Sequence, residues 1–244
     1  MSVFYKRFSP QRPNFAGKIS ENMKDNIEIA LEASSTYRQI IMKIKYLSAP
    51  VLALTLLLSC QKDENATTTY SVKEDASKVE WKGSATDHFH VGSFGVKGDL
   101  KTDGKGVLSA GDFRIPIASI KNYDLPEGPR EELLDHLKSP DFFNLALHPE
   151  ASFHITSVKP YNGGTPSAVE GANYEVTGDF SMIGQTHQIS FPAKITNDEA
   201  GLHTHAFLKI NRLNWGMTSY NDPAQALYIL PEVEIILSIN AVKD

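Results

Sequence analysis

From about residue 70 onward, apolar and polar side chains alternate with period two, the spacing of strands that bury one face. Val79 and Trp81 alternate with Lys78, Glu80 and Lys82. Phe94 and Val96 follow Gly92, and Phe113, Ile115 and Ile117 share one parity. Phe153 and Ile155 lie together within Ala151–Lys159. Further rows run through Tyr174, Val176, Phe180 and Met182, then Ile189, Phe191, Ala193 and Ile195. The last are Leu202–Asn211 and Val233, Ile235, Leu237, Ile239 and Ala241. With Tyr70–Val72 these predict eight or nine strands. Turn signals separate them at Thr102-Asp103-Gly104, Asn162-Gly163-Gly164, Ile183-Gly184-Gln185-Thr186 and Ala200-Gly201. Only Pro129–Ser139 has helical spacing, with Pro129 in the first turn and Leu133, Leu134 and Leu137 on one face. Many strands and one helix predict an all-β fold, a sandwich or a closed barrel.

The hairpin around Gly184 makes a register prediction. A two-residue turn at Gly184-Gln185 pairs Phe180 with Ile189, Gly178 with Phe191, Val176 with Ala193 and Tyr174 with Ile195. Glycine in the first turn position suits a type II′ turn, and Gly178 leaves room for the Phe191 ring.

Charge divides the 244-residue chain in two. Residues 1–59 carry eight basic and four acidic side chains, net +4, whereas residues 60–244 carry sixteen and twenty-five, net −9. The overall −5 gives no basic patch for nucleic acid, and a single cysteine excludes a disulfide framework. At the junction, Met42-Lys43-Ile44-Lys45 precedes the uncharged run Tyr46–Leu58, which is too short to span a bilayer core of about 30 Å as a helix. A basic start, a brief apolar run and a small residue before the cut form a signal peptide, expected over residues 42–59. Leu57-Leu58-Ser59-Cys60 resembles the lipobox of bacterial lipoproteins, with Leu58 bulkier than usual. That resemblance implies that Cys60 becomes the acylated first mature residue, a palmitate-bearing anchor to the outer membrane, periplasmic or surface-exposed. Gln61-Lys62-Asp63-Glu64 looks like an acidic export tag, and residues 60–68 read as a solvated tether. Residues 1–41 are expected to be a gene-model extension ahead of a start at Met42, with an unusually long leader as the alternative. The domain is expected over residues 69–242.

The mature part contains no phosphate loop, nucleophile elbow or paired-cysteine site, so no catalytic residue is assigned and an enzyme is not expected. His88-Phe89-His90 and His203-Thr204-His205 each put two imidazoles on one strand face, and two such strands side by side could hold zinc. The apolar parity of Leu202, Ala206, Leu208 and Ile210 instead turns His203 and His205 away from the core, and no metal is expected. His187 and His148 read as exposed loop residues. Arg212, one of three mature arginines with Arg114 and Arg130, could bind a head group; a carbonyl contact or salt bridge fixing the turn is the favoured role.

Three segments in order resemble one family, the YceI-like lipid/polyisoprenoid-binding proteins. The most specific is His136-Leu137-Lys138-Ser139-Pro140-Asp141-Phe142-Phe143-Asn144, followed by His148-Pro149-Glu150-Ala151-Ser152-Phe153. Asn144 replaces the usual Asp there, and His148 the usual aromatic. The others are Val176–His187, similar to the family's hairpin, and Ile210-Asn211-Arg212-Leu213-Asn214-Trp215-Gly216-Met217. The resemblance spans about Tyr70 to Val242. It implies an elongated antiparallel lipocalin-like β-barrel of about eight strands with one short helical insertion, whose tunnel holds a polyisoprenoid or fatty-acid-like amphiphile without catalysis. Apart from such a lipid, no cofactor is implied.

Family motifs do not specify the tunnel wall, so its candidates come from inward parity and apolarity. They are Trp81, Phe94, Phe113 and Phe153 on the earlier strands, and Ile235 on the last. The hairpin adds Val176, Phe180, Ile189 and Phe191, with Ile195 on the same surface, and the family resemblance implies that the Pro129–Phe143 helix with its Phe142-Phe143 pair caps the mouth. The expected function is a membrane-anchored lipoprotein that binds or carries a long apolar ligand. Two alternatives stand beside it: a structural or adhesive surface lipoprotein with a side-chain-filled barrel, and a histidine-based metal-binding envelope protein. A barrel of this size can be filled or hollow.

The lipobox-like run predicts that Cys60→Ser releases the protein from membranes and abolishes labelling by a clickable fatty acid. Unchanged membrane retention would exclude the anchor.

Overall fold

The computed structural model describes residues 66–166 and 168–244. The expectations for residues 1–65, Cys60 and the signal among them, lie outside the described residues. The chain forms strands β1 (Thr68–Val72), β2 (Lys78–Ala85), β3 (Phe89–Phe94), β4 (Lys97–Thr102), β5 (Leu108–Pro116) and β6 (Lys121–Asn122). Helix α1 (Pro129–Lys138) follows, then β7 (Glu150–Pro160), β8 (Tyr174–Met182), β9 (Gln185–Asp198), β10 (Gly201–Asn211) and β11 (Ile229–Lys243).

Neighbouring strands are all antiparallel. The circuit β1-β4-β5-β7-β8-β9-β10-β11 returns to β1 and closes an eight-stranded barrel. Closure removes the exposed sheet edges that such strands would otherwise present. β11 is long enough to pair twice on one edge. Ile229–Ser238 pair with β2, and Ala241–Lys243 pair with β1. The wall therefore forks, and β2, β3 and β6 extend as a side branch.

The fork leaves the backbone of Asn240 between two partner strands. The turn joining β1 to β2 satisfies it: Lys73 N–H donates to the Asn240 carbonyl at 2.8 Å, and Asn240 N–H donates to Ser77 Oγ at 2.9 Å. The Ser77 hydroxyl in turn donates to the same carbonyl at 3.1 Å. Buried backbone groups need such partners.

Two strands exceed the sequence expectation. β4 reads as polar through Lys97-Gly98-Asp99, and only Leu100 and Thr102 turn inward, both 1% exposed. β6 has two residues, too few to show a period. Helix α1 matches its predicted start, with Pro129 in the first turn, Glu131 and Glu132 near the N-terminus, and His136 and Lys138 near the C-terminus. Those charges complement the helix dipole.

The β8–β9 hairpin corrects the predicted register. Met182 pairs with Gln185, Phe180 with His187, Gly178 with Ile189, Val176 with Phe191 and Tyr174 with Ala193. The turn residues are Ile183 and Gly184, at φ 51° and 72°. Two positive φ values make a type I′ turn, whose twist matches the strands, in place of type II′. The register moves by two residues, so each side chain keeps its expected face. Gly178 leaves room for β7 rather than for Phe191: a Cβ there would lie 2.4 Å from the Phe153 ring and from the His154 carbonyl oxygen.

The end of the barrel where β1 closes the wall is solid. Tyr70, Leu100, Leu202 and Ala241 are buried there, and Tyr70 donates to Asn197 Oδ1 at 3.2 Å. Toward the other end, Leu208, Ile210, Val233, Ile235 and Leu237 point inward from β10 and β11 yet are only partly buried.

Ser77→Ala removes the acceptor of the Asn240 amide at the fork. A buried unpaired donor costs about 1–3 kcal/mol, so denaturant unfolding should show a loss of that size. A stability within about 0.3 kcal/mol of wild type would mean that Ser77 does not hold the fork.

Candidate functional site

The partly buried inner face encloses empty space. One chamber, of about 100 Å³, lies toward the solid end, and Val96, Leu100 and Leu108 border it there. Phe113, Phe153, Val176, Ile189 and Phe191 form part of its side walls, and Thr204 is its one polar residue. A second chamber, of about 240 Å³, lies toward the opposite end. Trp81 and Phe94 line it from the β2–β3 branch, with Leu133, His136 and Leu137 of α1 and the Phe142-Phe143 pair. Val79, Ile115, Phe180, Ile210 and Ile235 border both chambers and form a waist between them.

All eleven residues expected on the tunnel wall line these chambers. Phe113, Phe153, Val176, Ile189 and Phe191 face the smaller one, and Trp81, Phe94, Phe142 and Phe143 the larger; Phe180 and Ile235 stand at the waist. Ile195, expected on the same surface, is instead in the packed core and borders neither. At the waist, Phe180 packs edge-on against Trp215, with ring centroids 5.3 Å apart, and Trp215 Nε1 donates to the Phe180 carbonyl at 3.1 Å.

An aromatic cluster stands at the outer end of the larger chamber. The His136 ring meets Phe142 at 5.1 Å and Tyr220 at 5.6 Å, and Phe142 stacks on Tyr220 at 6.2 Å. Phe143 reaches inward to Phe94, 5.4 Å away. His88 and Leu227 line the chamber while remaining exposed, so it reaches solvent between the β2–β3 turn and the segment before β11.

Both histidine pairs are expected to face solvent, and only the second turns wholly outward. His88 and His90 both line the larger chamber, ring centroids 5.3 Å apart. His203 and His205 lie on the outer face of β10, bonded through Nδ1 to Asn240 Oδ1 at 2.7 Å and to the Leu237 carbonyl at 3.0 Å. Among the described residues no three His, Cys, Asp or Glu side chains converge as metal ligands. His187 is exposed as expected but sits on β9, against Trp215 at 5.1 Å. His148, expected exposed, is partly covered, with its ring beside the Gly184 turn, where an added Cβ would lie 3.2 Å from it.

Asp124 ties the β3 edge to the segment after β6. Its Oδ1 accepts from Val91 N–H at 2.8 Å and Asn122 Nδ2 at 2.7 Å, and its Oδ2 lies 2.7 Å from His90 Nδ1. Burial acts to raise the carboxyl pKa, yet the bonds from Val91, His90 and Asn122 outweigh it and hold it below the ordinary value.

Arg212 is 2% exposed and lines the larger chamber. Its guanidinium donates to the carbonyls of Leu230, Met217, Ser219 and Ile229, fixing the turn after β10 as the favoured sequence reading expects. The helix lies at this end as the family resemblance implies, whereas periodicity missed Leu227, whose inward position depends on how the segment before β11 folds back over the barrel end. Thr204 shares the inward parity of Leu202 and Ala206, a signal its hydroxyl concealed.

A family model described as the YceI-like domain matches residues 70–241. A UPF0312 protein from Pectobacterium carotovorum is 28% identical over 117 residues, covering 45% of this chain and 53% of that protein. The protein YceI of Salmonella arizonae is 29% identical over the same shares. The chain thus spans about half the length of the curated relatives it matches. Among solved structures, BcnA from Burkholderia cenocepacia superposes with a TM-score of 0.56 at 19% identity, covering 69% of this chain and 98% of that one. A polyisoprenoid-binding domain from Saccharophagus degradans gives 0.53 at 14%, covering 72% and 99%. Both establish the fold.

Because the folded pKa of Asp124 is depressed, its contribution to stability is present above the unfolded carboxylate value. That contribution is lost as pH falls through the folded one. Thermal melts should show wild type more stable than Asp124→Asn above about pH 4, with the gap closing in more acidic solution. A gap that widens on acidification would contradict this assignment.

Proposed function

The chain belongs to the YceI-like family, and from that premise we propose that it binds one long apolar or amphiphilic molecule of polyisoprenoid or fatty-acid type along the barrel axis. The observation that carries the reading is the pair of adjoining chambers walled almost wholly by hydrocarbon. A barrel serving only as a structural or adhesive scaffold would fill that space with side chains. The Saccharophagus domain of the same fold is described as polyisoprenoid-binding, which favours the same ligand class here.

The energetics are sufficient without strong polar contacts. Each buried methylene is worth about 0.8 kcal/mol, so a chain of about sixteen or more carbons supports micromolar binding even after about 4 kcal/mol is lost to association entropy. Strands of about ten residues at about 3.3 Å per residue are roughly 33 Å long, and the ligand path is the part of that length beyond the solid end. Shape and length then set specificity, with the waist at Phe180 admitting a slender chain. Acylation at Cys60 would hold this binding module at the membrane from which an apolar ligand is drawn, in the outer part of the cell envelope.

Native mass spectrometry of gently purified protein, followed by organic extraction, tests the reading. A stoichiometric lipid-sized adduct is expected; recovery without any apolar small molecule, together with no binding of added long-chain lipids, would overturn it. Val176 is 2% exposed, faces Phe191 across the hairpin and borders the smaller chamber. Val176→Phe should cost about 1–3 kcal/mol in overpacking and shorten the longest chain that is retained. A folded variant that extracts an unchanged length distribution would show that this chamber holds no chain.

A further inference from the structure

We propose that the larger chamber receives an anionic oxygen head group, a carboxylate or a phosphate, against the buried guanidinium of Arg212. The inference rests on the long-chain reading above and specifies the other end of the same ligand.

Arg212 begins the turn Arg212–Trp215, directly after β10. Its Nε donates to the Leu230 carbonyl at 3.3 Å, one Nη to the carbonyls of Met217 and Ser219, and the other to Ile229 at 2.8 Å. A guanidinium has five N–H groups. Four are engaged, which leaves one on the Nη that serves Ile229. All four partners are neutral carbonyls. Among the described residues no carboxylate forms an ion pair with this side chain. Burial depresses the guanidinium pKa, and the residue remains a cation at physiological pH.

A buried formal charge is ordinarily matched by an opposite one. Here the described residues supply dipoles and no counter-charge, and the residue borders an apolar space that a ligand can fill. A second, independent observation concerns the same chamber. Trp81 lines it, is 9% exposed, and its Nε1 has no hydrogen-bond partner. Indole N–H is a donor only. The chamber thus has spare donors on β2 and on the turn after β10, and an oxygen acceptor is the chemistry that such donors call for.

The direction of the ligand follows. The smaller chamber ends against the solid end of the barrel and has Thr204 as its one polar neighbour, so it suits a tail. The larger chamber reaches solvent and holds the cation, so it suits a head. The chain enters tail first, passes the waist at Phe180, and leaves its charged end beside Arg212. An Arg212–carboxylate or Arg212–phosphate contact is charge-assisted and stronger than a neutral one.

The test uses four ligands with one sixteen-carbon chain: palmitate, hexadecyl phosphate, hexadecanol and methyl palmitate. They compete in equimolar mixture for the purified protein at about pH 8, where carboxylates are ionised and free histidines neutral. Native mass spectrometry reads the bound ratio. Both anions, or one of them, should be retained about tenfold or more over the alcohol and ester, and which anion leads distinguishes carboxylate from phosphate. Arg212→Gln should bring the four within about twofold, whereas Arg212→Lys should keep part of the anion preference. If Arg212→Gln does not fold, the wild-type ranking and Arg212→Lys decide. Equal retention of all four by wild type overturns the head-group assignment and leaves the long-chain reading standing. Retention of none overturns the long-chain reading itself.

Discussion

The architecture depends on one strand having to serve two partners on a single edge. β11 pairs with β2 between Ile229 and Ser238, with a bulge before Val233, and with β1 over Ala241–Lys243, and the backbone at Asn240 would be stranded where the partners change. Ser77 and Lys73 satisfy that backbone from the turn between the two partner strands. Because the partners diverge there, the barrel has unlike ends. On the β1 side the wall is short and closed, and side chains meet across it. On the β2 side the wall leaves the circuit as a branch, the interior widens, and α1 with Phe142 and Phe143 packs over the space. A hollow interior with one solid end and one reachable end is a consequence of the fork.

The alternation of residue types made the inner face legible, and the hairpin shows why the exact pairing was less so. Period two assigns each side chain to a face, and a register change of two preserves every face while moving every partner. Whether the turn is Ile183-Gly184 or Gly184-Gln185 depends on which residue accepts a positive φ. Sequence preference argues against Ile183, a β-branched residue, in that role. The strand twist wins, because a type I′ turn suits it. β4 was hidden for a different reason: its outward residues are charged and its two inward ones are too few to show a period. The eleven wall positions were visible because tunnel lining and core packing ask for the same apolar side chains. For the same reason, periodicity alone could not say that space lay between them. Ile195 shows the limit, sharing the face but lying where the interior is filled.

Chemistry-bearing residues followed their strand parity more than their motif. His88 and His90 line the interior and His203 and His205 the exterior, so two identical His-X-His spacings have opposite surroundings. The turn-fixing role of Arg212 is legible from its place between a strand and Leu213-Asn214-Trp215-Gly216. What the sequence could not give is that no acidic partner meets Arg212 among the described residues, since that depends on which side chains the 218–228 segment brings near.

The wall residues are also the residues that the empty interior leaves under-packed. Phe180, Ile189, Leu208, Ile210 and Ile235 point inward and have neighbours along the wall but little across it. A gap in an apolar core forfeits dispersion contacts on the side that has no atoms. A bound chain would supply those atoms and act as the missing core of the open half. Binding and folding are then coupled: any occupant that binds the native barrel alone raises its stability by RT ln(1 + [L]/Kd). The gain falls on the larger chamber, the waist and the branch β2-β3-β6, while the solid end is already packed. The buried cation follows the same logic. In the empty barrel Arg212 is held by carbonyls that fix a turn, and the proposed head group would add the opposite charge just where its tail adds packing. One molecule then completes both what the core lacks in volume and what it lacks in charge.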